Sequence, residues 1–175
     1  MIRKANKNDL SSILNIVEEA KTIMKQDNNN QWDEQYPLEE HFEEDIEKDT
    51  LFVLEENSII YAFIVVDQQQ SEWYDELEWY DELEWPIDRK GAYVIHRLAG
   101  SSEYKGTATQ LFDFAVNLAL DHNIHVLLTD TFALNKRAQG LFTKFGFSKV
   151  GEAKIDYHPF NKGEPFYAYY KNLEE

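Results

Sequence analysis

Residues 92–119 read AYVIHRLAGSSEYKGTATQLFDFAVNLA. The run Ala92–Leu98 is apolar and rich in strand-forming residues, and Gly100, Ser101 and Ser102 interrupt it. A helix is expected from Gly106 onward. Ala108, Leu111, Phe112, Ala115, Val116 and Ala119 recur at the i, i+3, i+4, i+7, i+8 spacing of one buried face. The first turn of a helix leaves backbone N–H groups unpaired at the positive end of its dipole. Small residues there let an anion reach the backbone, so Gly106-Thr107-Ala108 is a candidate cradle for phosphate or pyrophosphate. Small residues at a strand-to-helix turn also serve compact packing, and this stretch alone does not choose between the two.

A second segment lies downstream, from Asn135 through Ala138 and Phe142 to Gly146 and Phe147. It predicts a short helix with Ala138, Leu141, Phe142 and Phe145 on one face and Gly146 just past its end, where a left-handed cap is wanted. The two segments together resemble the GNAT superfamily of N-acetyltransferases. The family's cofactor segment, Gln/Arg-x-x-Gly-x-Gly/Ala, is met by Glu103-Tyr104-Lys105-Gly106-Thr107-Ala108. Its later segment, Asn-x-x-Ala-x-x-x-Tyr-x-x-x-Gly-Phe, is matched at Asn135, Ala138, Gly146 and Phe147. Two positions depart from the pattern. Glu103 stands where Gln or Arg is usual, and Phe142 replaces the Tyr whose hydroxyl often protonates the leaving thiolate.

The resemblance implies an α/β fold: a mixed, mostly antiparallel sheet of six to seven strands flanked by helices on both faces, as one domain over residues 1–175. It implies an acetyl-CoA-dependent N-acetyltransferase that moves an acetyl group to a primary amine by direct attack on the thioester. The alternative is a non-catalytic acyl-CoA-binding or interaction protein of the same fold. By the same resemblance, a backbone N–H near Leu98 faces the thioester oxygen, and the N–H groups of Lys105, Gly106, Thr107, Ala108 and Thr109 take the pyrophosphate. Asn135 bonds the pantetheine, Phe142 packs near the sulfur, and Trp32 and Tyr36 shape the acceptor wall. For the two aromatics, ordinary packing is an equal reading. With Phe142 lacking a hydroxyl, Tyr157, Tyr167 and Tyr169 are possible proton donors.

An amine acceptor arrives protonated, so the reaction needs a base. His96 is the first candidate, because imidazole titrates near neutrality and position 96 is two before Leu98, which predicts that both side chains share a face of the strand. A hydrogen-bonded structural histidine fits equally well. Asp130, at the end of the adjoining strand, is the second candidate, as base or amine binder. His122 and His125 have a metal-like spacing but straddle a helix end and a strand start, so two surface histidines are expected and no metal. A nucleotide-binding domain is disfavoured: Gly106 sits in neither Gly-x-x-x-x-Gly-Lys nor a complete Gly-x-Gly-x-x-Gly.

The 175 residues are 43% hydrophobic, enough for a core and too much for a disordered chain, and they contain no cysteine, which excludes disulfides, thiolate metal sites and a cysteine nucleophile. No run approaches a membrane span, and MIRKANKND has no apolar signal core, so a soluble cytoplasmic protein is expected. The net charge of −16 is one-sided. Residues 1–95 hold 24 acids against 8 bases, whereas residues 96–175 hold nine of each. Nucleic acid is therefore not an expected partner. The acidic half leans toward a polyamine, an aminoglycoside or a lysine-like acceptor, though an acidic solubilising surface explains it as simply.

In the remaining chain, Ile2–Ala5 predicts a strand. A helix follows, capped by Asn8 or Asp9 and reaching Met24, then a loop at 31–37 and a second helix with Pro37 at its first position. Leu51–Leu54 and Ile59–Val66 read as a hairpin turned at 55–58, and Phe147–Ile155 with Phe166–Lys171 as another. Residues 72–85 carry EWYDEL twice in tandem, then Glu84 and Trp85. Periodicity does not decide between strand and helix there. A duplicated loop is the plain reading, and an aromatic arm for a homodimer is the other, testable by the solution mass of a chain lacking 78–83.

Overall fold

The computed structural model describes residues 1–79 and 85–174. Along it run β1 (Ile2–Lys4), α1 (Leu10–Gln26), α2 (Glu39–Glu47), β2 (Leu51–Glu56), β3 (Ile59–Asp67) and β4 (Glu78–Trp79). They are followed by β5 (Tyr93–Gly100), α3 (Thr107–Asp121), β6 (Val126–Phe132), α4 (Lys136–Lys144), β7 (Ser148–Ala153) and β8 (Phe166–Asn172). The strands form one sheet in the order β1-β2-β3-β5-β6-β8-β7-β4, in which β5–β6 is the parallel pair among the described residues. The mixed, mostly antiparallel sheet expected from the sequence is present. Its eighth strand is the two-residue β4.

Alternation along the strands sorts the core onto two faces. Leu51, Val53, Phe63 and Val65 pack under α1 and α2 against Ile13, Val17 and Phe42. Leu54, Ala62, Ile64 and Ile95 pack on the other face, under α3 and α4. There the Phe112 ring stacks on Phe145 at 4.6 Å and meets Phe142 and Phe147 edge-on at 6.1 and 5.8 Å. Each such pair adds roughly 0.5–1.5 kcal/mol beyond burial, which fixes α4 against α3. The end of α4 closes as the sequence predicts: Gly146 takes φ +86, its N–H bonds Thr143 O, and Phe147 N–H bonds Phe142 O.

One expected helix start holds and one moves: Asp9 stands at the cap position of α1, without a side-chain bond to the helix. A 3₁₀ turn, Lys7–Asp9, precedes α1 and is capped by Asn6, whose Oδ1 accepts from Asn8 N–H while Asp9 Oδ2 accepts from Asn6 N–H. Asp9 is drawn into this turn because Arg3 also bonds it at 2.8 Å. Helix α2 begins at Glu39 rather than Pro37, because Leu38 N–H donates to His41 Nδ1 at 2.8 Å and makes Leu38 the cap. The first hairpin turns more tightly than 55–58: Glu56 faces Ile59, and Asn57 and Ser58 take φ +53 and +65.

The repeated hexapeptide adopts two conformations. The first copy forms a 3₁₀ turn, Glu72–Glu76, which buries Trp73 and Tyr74 in a third cluster with Val94, Leu128, Phe132 and Phe166. The second copy opens as β4, with Glu78 opposite Glu152 and Trp79 opposite Gly151. A Cβ on Gly151 would lie 2.6 Å from Glu78 O, so only glycine admits this strand. The rest of the second copy, residues 80–83, lies outside the described residues, as does much of the proposed aromatic arm.

Candidate active site

The parallel ladder between β5 and β6 runs through Tyr93–Leu127, Val94–Leu128 and Ile95–Thr129, and stops. At its last rung the buried Thr129 hydroxyl donates to Ile95 O at 2.9 Å. Beyond it β5 stays with β3 and β6 stays with β8, so the two strands part. A cavity of about 450 Å³ occupies the opening. Ile23 and Met24 of α1 border it, as do Ala138, Leu141 and Phe142 of α4. Those helices cover opposite faces, so the cavity passes through the sheet. His96, Leu98, Ala99 and Gly100 line it from the unpaired edge of β5.

β5 carries one extra residue here. Ile64 faces Leu98 and Val66 faces Ile95, so His96 and Arg97 together stand opposite Val65. This is a β-bulge, which breaks alternation and re-aims side chains. Leu98 packs with the α3/α4 cluster. Arg97 instead bonds Asp45 of α2 and donates to Tyr36 OH at 2.7 Å, and His96 bonds Asp67. The expectation that His96 and Leu98 share one face of the strand is therefore wrong by the one inserted residue, although both still border the cavity.

The cradle residues lie beside the cavity rather than on its wall. In the turn before α3, Ser102 N–H donates to Glu19 Oε1 at 2.8 Å, Glu103 N–H to Ser101 Oγ, and Tyr104 N–H to Ser101 O. Gly106 takes φ +81 as the cap of α3, and no side chain caps it. Among the described residues, no bond from outside the helix reaches the N–H groups of Lys105, Gly106, Thr107 or Ala108. A Cβ on Gly106 would meet nothing within 4 Å, so the space before this helix end is open. Gly100 ties cradle to cavity: it lines the cavity, and a Cβ on it would meet Thr107 Oγ1 at 2.2 Å.

Asn135 borders the cavity and caps α4, its Oδ1 accepting from Ala138 N–H at 3.0 Å. Its Nδ2 donates to Gln31 Oε1 at 2.7 Å, and the Thr131 hydroxyl donates to the same oxygen at 2.9 Å. Gln31 thereby holds the loop that carries Trp32 and Tyr36. Trp32 lines both the cavity and a smaller recess of about 40 Å³ that adjoins it. Tyr36, Phe160, Phe166 and Pro159 complete the recess's apolar walls, and His96, Asp130, Ser71 and Gln31 its polar ones. The β7–β8 loop closes over it through Lys162, which pairs with Asp33, and through His158, edge-on to Tyr36 at 6.1 Å.

Asp130 sits where cavity and recess meet. Burial pushes its carboxyl up to about 6, opposed by a hydrogen bond from Tyr74 OH at 2.6 Å and by the nearby His96. Burial and the Asp130 charge push the Tyr74 hydroxyl well above its ordinary range, so it remains a donor. His96 Nε2 lies 2.6 Å from Asp67 Oδ1 at the end of β3. A carboxylate only accepts, so Nε2 carries the hydrogen, and Nδ1 is the basic nitrogen of the neutral ring. Tyr74 and Asp67 escaped sequence reasoning. One lay in a repeat of undecided conformation, and the other bonds across a strand pair whose bulge alternation does not reveal.

Phe142 is buried and borders the cavity. None of Tyr157, Tyr167 and Tyr169 lines it. Tyr157 is exposed, Tyr167 lies under Lys149, and Tyr169, pushed up to about 12 by burial, packs on Phe142 at 5.2 Å. His122 bonds Leu118 O and His125 bonds Asn123 Oδ1. No described helix is long and apolar enough to cross a membrane.

Residues 13–147 match the model of the acetyltransferase (GNAT) family. A search of curated proteins gives no match. The chain is similar to a provisionally assigned acetyltransferase from Staphylococcus aureus Mu50, at 55% identity and TM-score 0.76 over 99% of each chain. It is also similar to a GNAT-family acetyltransferase from Streptococcus agalactiae 2603, at 25% identity and TM-score 0.82 over 100% and 96% of the two chains. The structure of yncA from Salmonella typhimurium, likewise provisionally assigned and determined with its cofactor acetyl-CoA, shares the fold at 15% identity and TM-score 0.66 over 100% and 94%. With a split parallel strand pair, an uncapped helix beside it and a family match over most of its length, the chain belongs to the acetyltransferase (GNAT) family.

Proposed function

We propose that this protein transfers an acetyl group from acetyl-CoA to a primary amine. The observation that carries the reading is the parting of β5 from β6 after Ile95 and Thr129, which opens a cavity through the sheet next to the uncapped start of α3. The residues present fit the cofactor. The N–H groups from Lys105 to Thr109 would hold its pyrophosphate, with Gly106 giving the close approach. The open edge of β5 near Leu98 and the amide of Asn135 would hold the pantetheine, with Phe142 against its sulfur end. When bound, acetyl-CoA supplies the acyl group and a thiolate leaving group.

The chain's own residues then act on the amine. Asp130 binds the incoming ammonium and is held in place by the Tyr74 hydroxyl. His96 takes the proton at Nδ1, and Asp67 orients the ring. The recess between Trp32, Tyr36 and Phe160 limits water around the nitrogen.

A second reading, a binding protein without turnover, rests on Phe142: no tyrosine lines the 450 Å³ cavity among the described residues. Calorimetry with acetyl-CoA followed by thiol release across an amine panel separates the two. Binding with turnover is expected, and binding without it would favour the second reading. Gly106→Glu should abolish binding, since it puts a carboxylate at the open anion site, where a Cβ meets no neighbour although the φ of +81 strains any side chain. Unchanged affinity would remove the basis of both.

A further inference from the structure

The recess takes few atoms. At about 40 Å³, against about 450 Å³ for the cavity it adjoins, it has room for the amine end of an acceptor and not for a bulky group. The roof of Pro159 and Phe160 is tied down by the Lys162–Asp33 pair, which leaves little room for a branch at the carbon bearing the nitrogen.

The charges on its walls are as selective. Asp130 faces the recess, and Asp67 stands behind His96. No lysine or arginine lines it among the described residues. Cations nearby are already committed: Arg97, behind Tyr36, pairs with Asp45, Lys162 with Asp33, and Arg89 with Asp75. Trp32, Tyr36, Phe160 and Phe166 complete the wall with Ser71 and Gln31, and none of them brings a positive charge. An α-amino acid would bring its own carboxylate within two bonds of the reacting nitrogen. That carboxylate would enter the recess, meet Asp130 and find no cation to pair with, a repulsion that selects against it.

On the reading that the site acetylates amines, we infer that its acceptor is a small primary amine of the form R–CH2–NH3+, unbranched at the carbon bearing the nitrogen and carrying no carboxylate there. The narrow recess sets the first property and the Asp130-lined, cation-free wall sets the second.

Three acceptors separate shape from charge: n-propylamine, sec-butylamine, which adds a neutral branch, and 2-aminobutyrate, which makes that branch a carboxylate. Thiol release from acetyl-CoA should give kcat/KM falling in that order, with 2-aminobutyrate at least about tenfold below sec-butylamine. In Asp130→Asn the ratio between these two should shrink, because the repelling charge is gone. A loss of catalytic power common to both acceptors leaves the ratio unmoved. Equal turnover of 2-aminobutyrate and n-propylamine, or a ratio unchanged in Asp130→Asn, would overturn the inference while leaving acetyl transfer intact. Calorimetric titration of the same amines into the protein saturated with coenzyme A reads the recess without turnover. The same order there, with no thiol released in the assay, would uphold the inference about the recess and sink the catalytic reading.

Discussion

Replacing Asp130 with asparagine should make the protein more stable and less active at once. Folding moves this carboxyl from water, where it titrates at 3.8, into a place where burial holds it at about 6. At 1.36 kcal/mol per pH unit the ionised group costs the folded state up to about 3 kcal/mol near neutrality, and less where the adjoining recess lets water screen it. Asparagine keeps the shape and an oxygen for the Tyr74 hydroxyl to donate to, and removes the charge. The sign follows from the folded value lying above the unfolded one. The wild-type penalty is complete above about pH 6, shrinks as the pH falls from about 6 toward 3.8, and vanishes below. Urea unfolding should therefore show Asp130→Asn more stable by about 1–3 kcal/mol near pH 7.5, with the advantage gone near pH 4. Acetylation by the variant should fall, because the amine loses its anionic partner. A variant less stable than wild type near pH 7.5, or one whose advantage persists unchanged near pH 4, would refute the claim that this carboxylate is held at a cost for the sake of the site.

Tyr74→Phe removes the bond that lowers the Asp130 carboxyl, so its titration should rise above about 6; the acidic limb of the acetylation profile should shift upward, with activity recovered in alkaline buffer. His96→Gln should lower kcat by about 10²–10⁴-fold with acetyl-CoA affinity kept, read by steady-state kinetics and calorimetry. Gly100→Ala drives a methyl group to 2.2 Å from Thr107 Oγ1 and 2.9 Å from its Cβ, so thermal unfolding should show a loss of about 1–3 kcal/mol. Thr107→Gly in the same chain should restore more of that loss than Thr107→Ala, which keeps the Cβ contact.

Local signals were legible in the sequence, and pairings between distant residues were not. The buried stripe of α3 and the left-handed Gly146 follow from backbone chemistry within a few residues, and each stands where the pattern puts it. His96, Asp130, Asn135 and Phe142, named as candidates from the sequence on separate grounds, all border one cavity. What stayed hidden depends on neighbours far along the chain. The bulge at His96 and Arg97 exists only in the register with β3, and alternation counted along one strand cannot show it. Tyr74 reaches Asp130 across 56 residues of sequence. Identical hexapeptides adopt a 3₁₀ turn and the start of a strand because the first has a hydrophobic core to enter and the second meets the edge of β7 at Gly151. Propensity is the same for both copies, so tertiary context decides.

The Gln31 side-chain oxygen receives Asn135 from the start of α4 and Thr131 from β6, while its backbone belongs to the loop of Trp32 and Tyr36. One amide thus joins the half of the site proposed for the donor to the half proposed for the acceptor. A ligand that competes for Asn135 must loosen or reset that loop, and by reciprocal linkage an acceptor that settles the loop must change donor affinity by the same factor. Gln31→Leu should uncouple them, leaving each half able to bind but the two dissociation constants indifferent to one another in paired titrations. The molecule then reads as two half-sites hinged at a shared hydrogen-bond acceptor, and the order in which its ligands arrive becomes sensitive to residue 31.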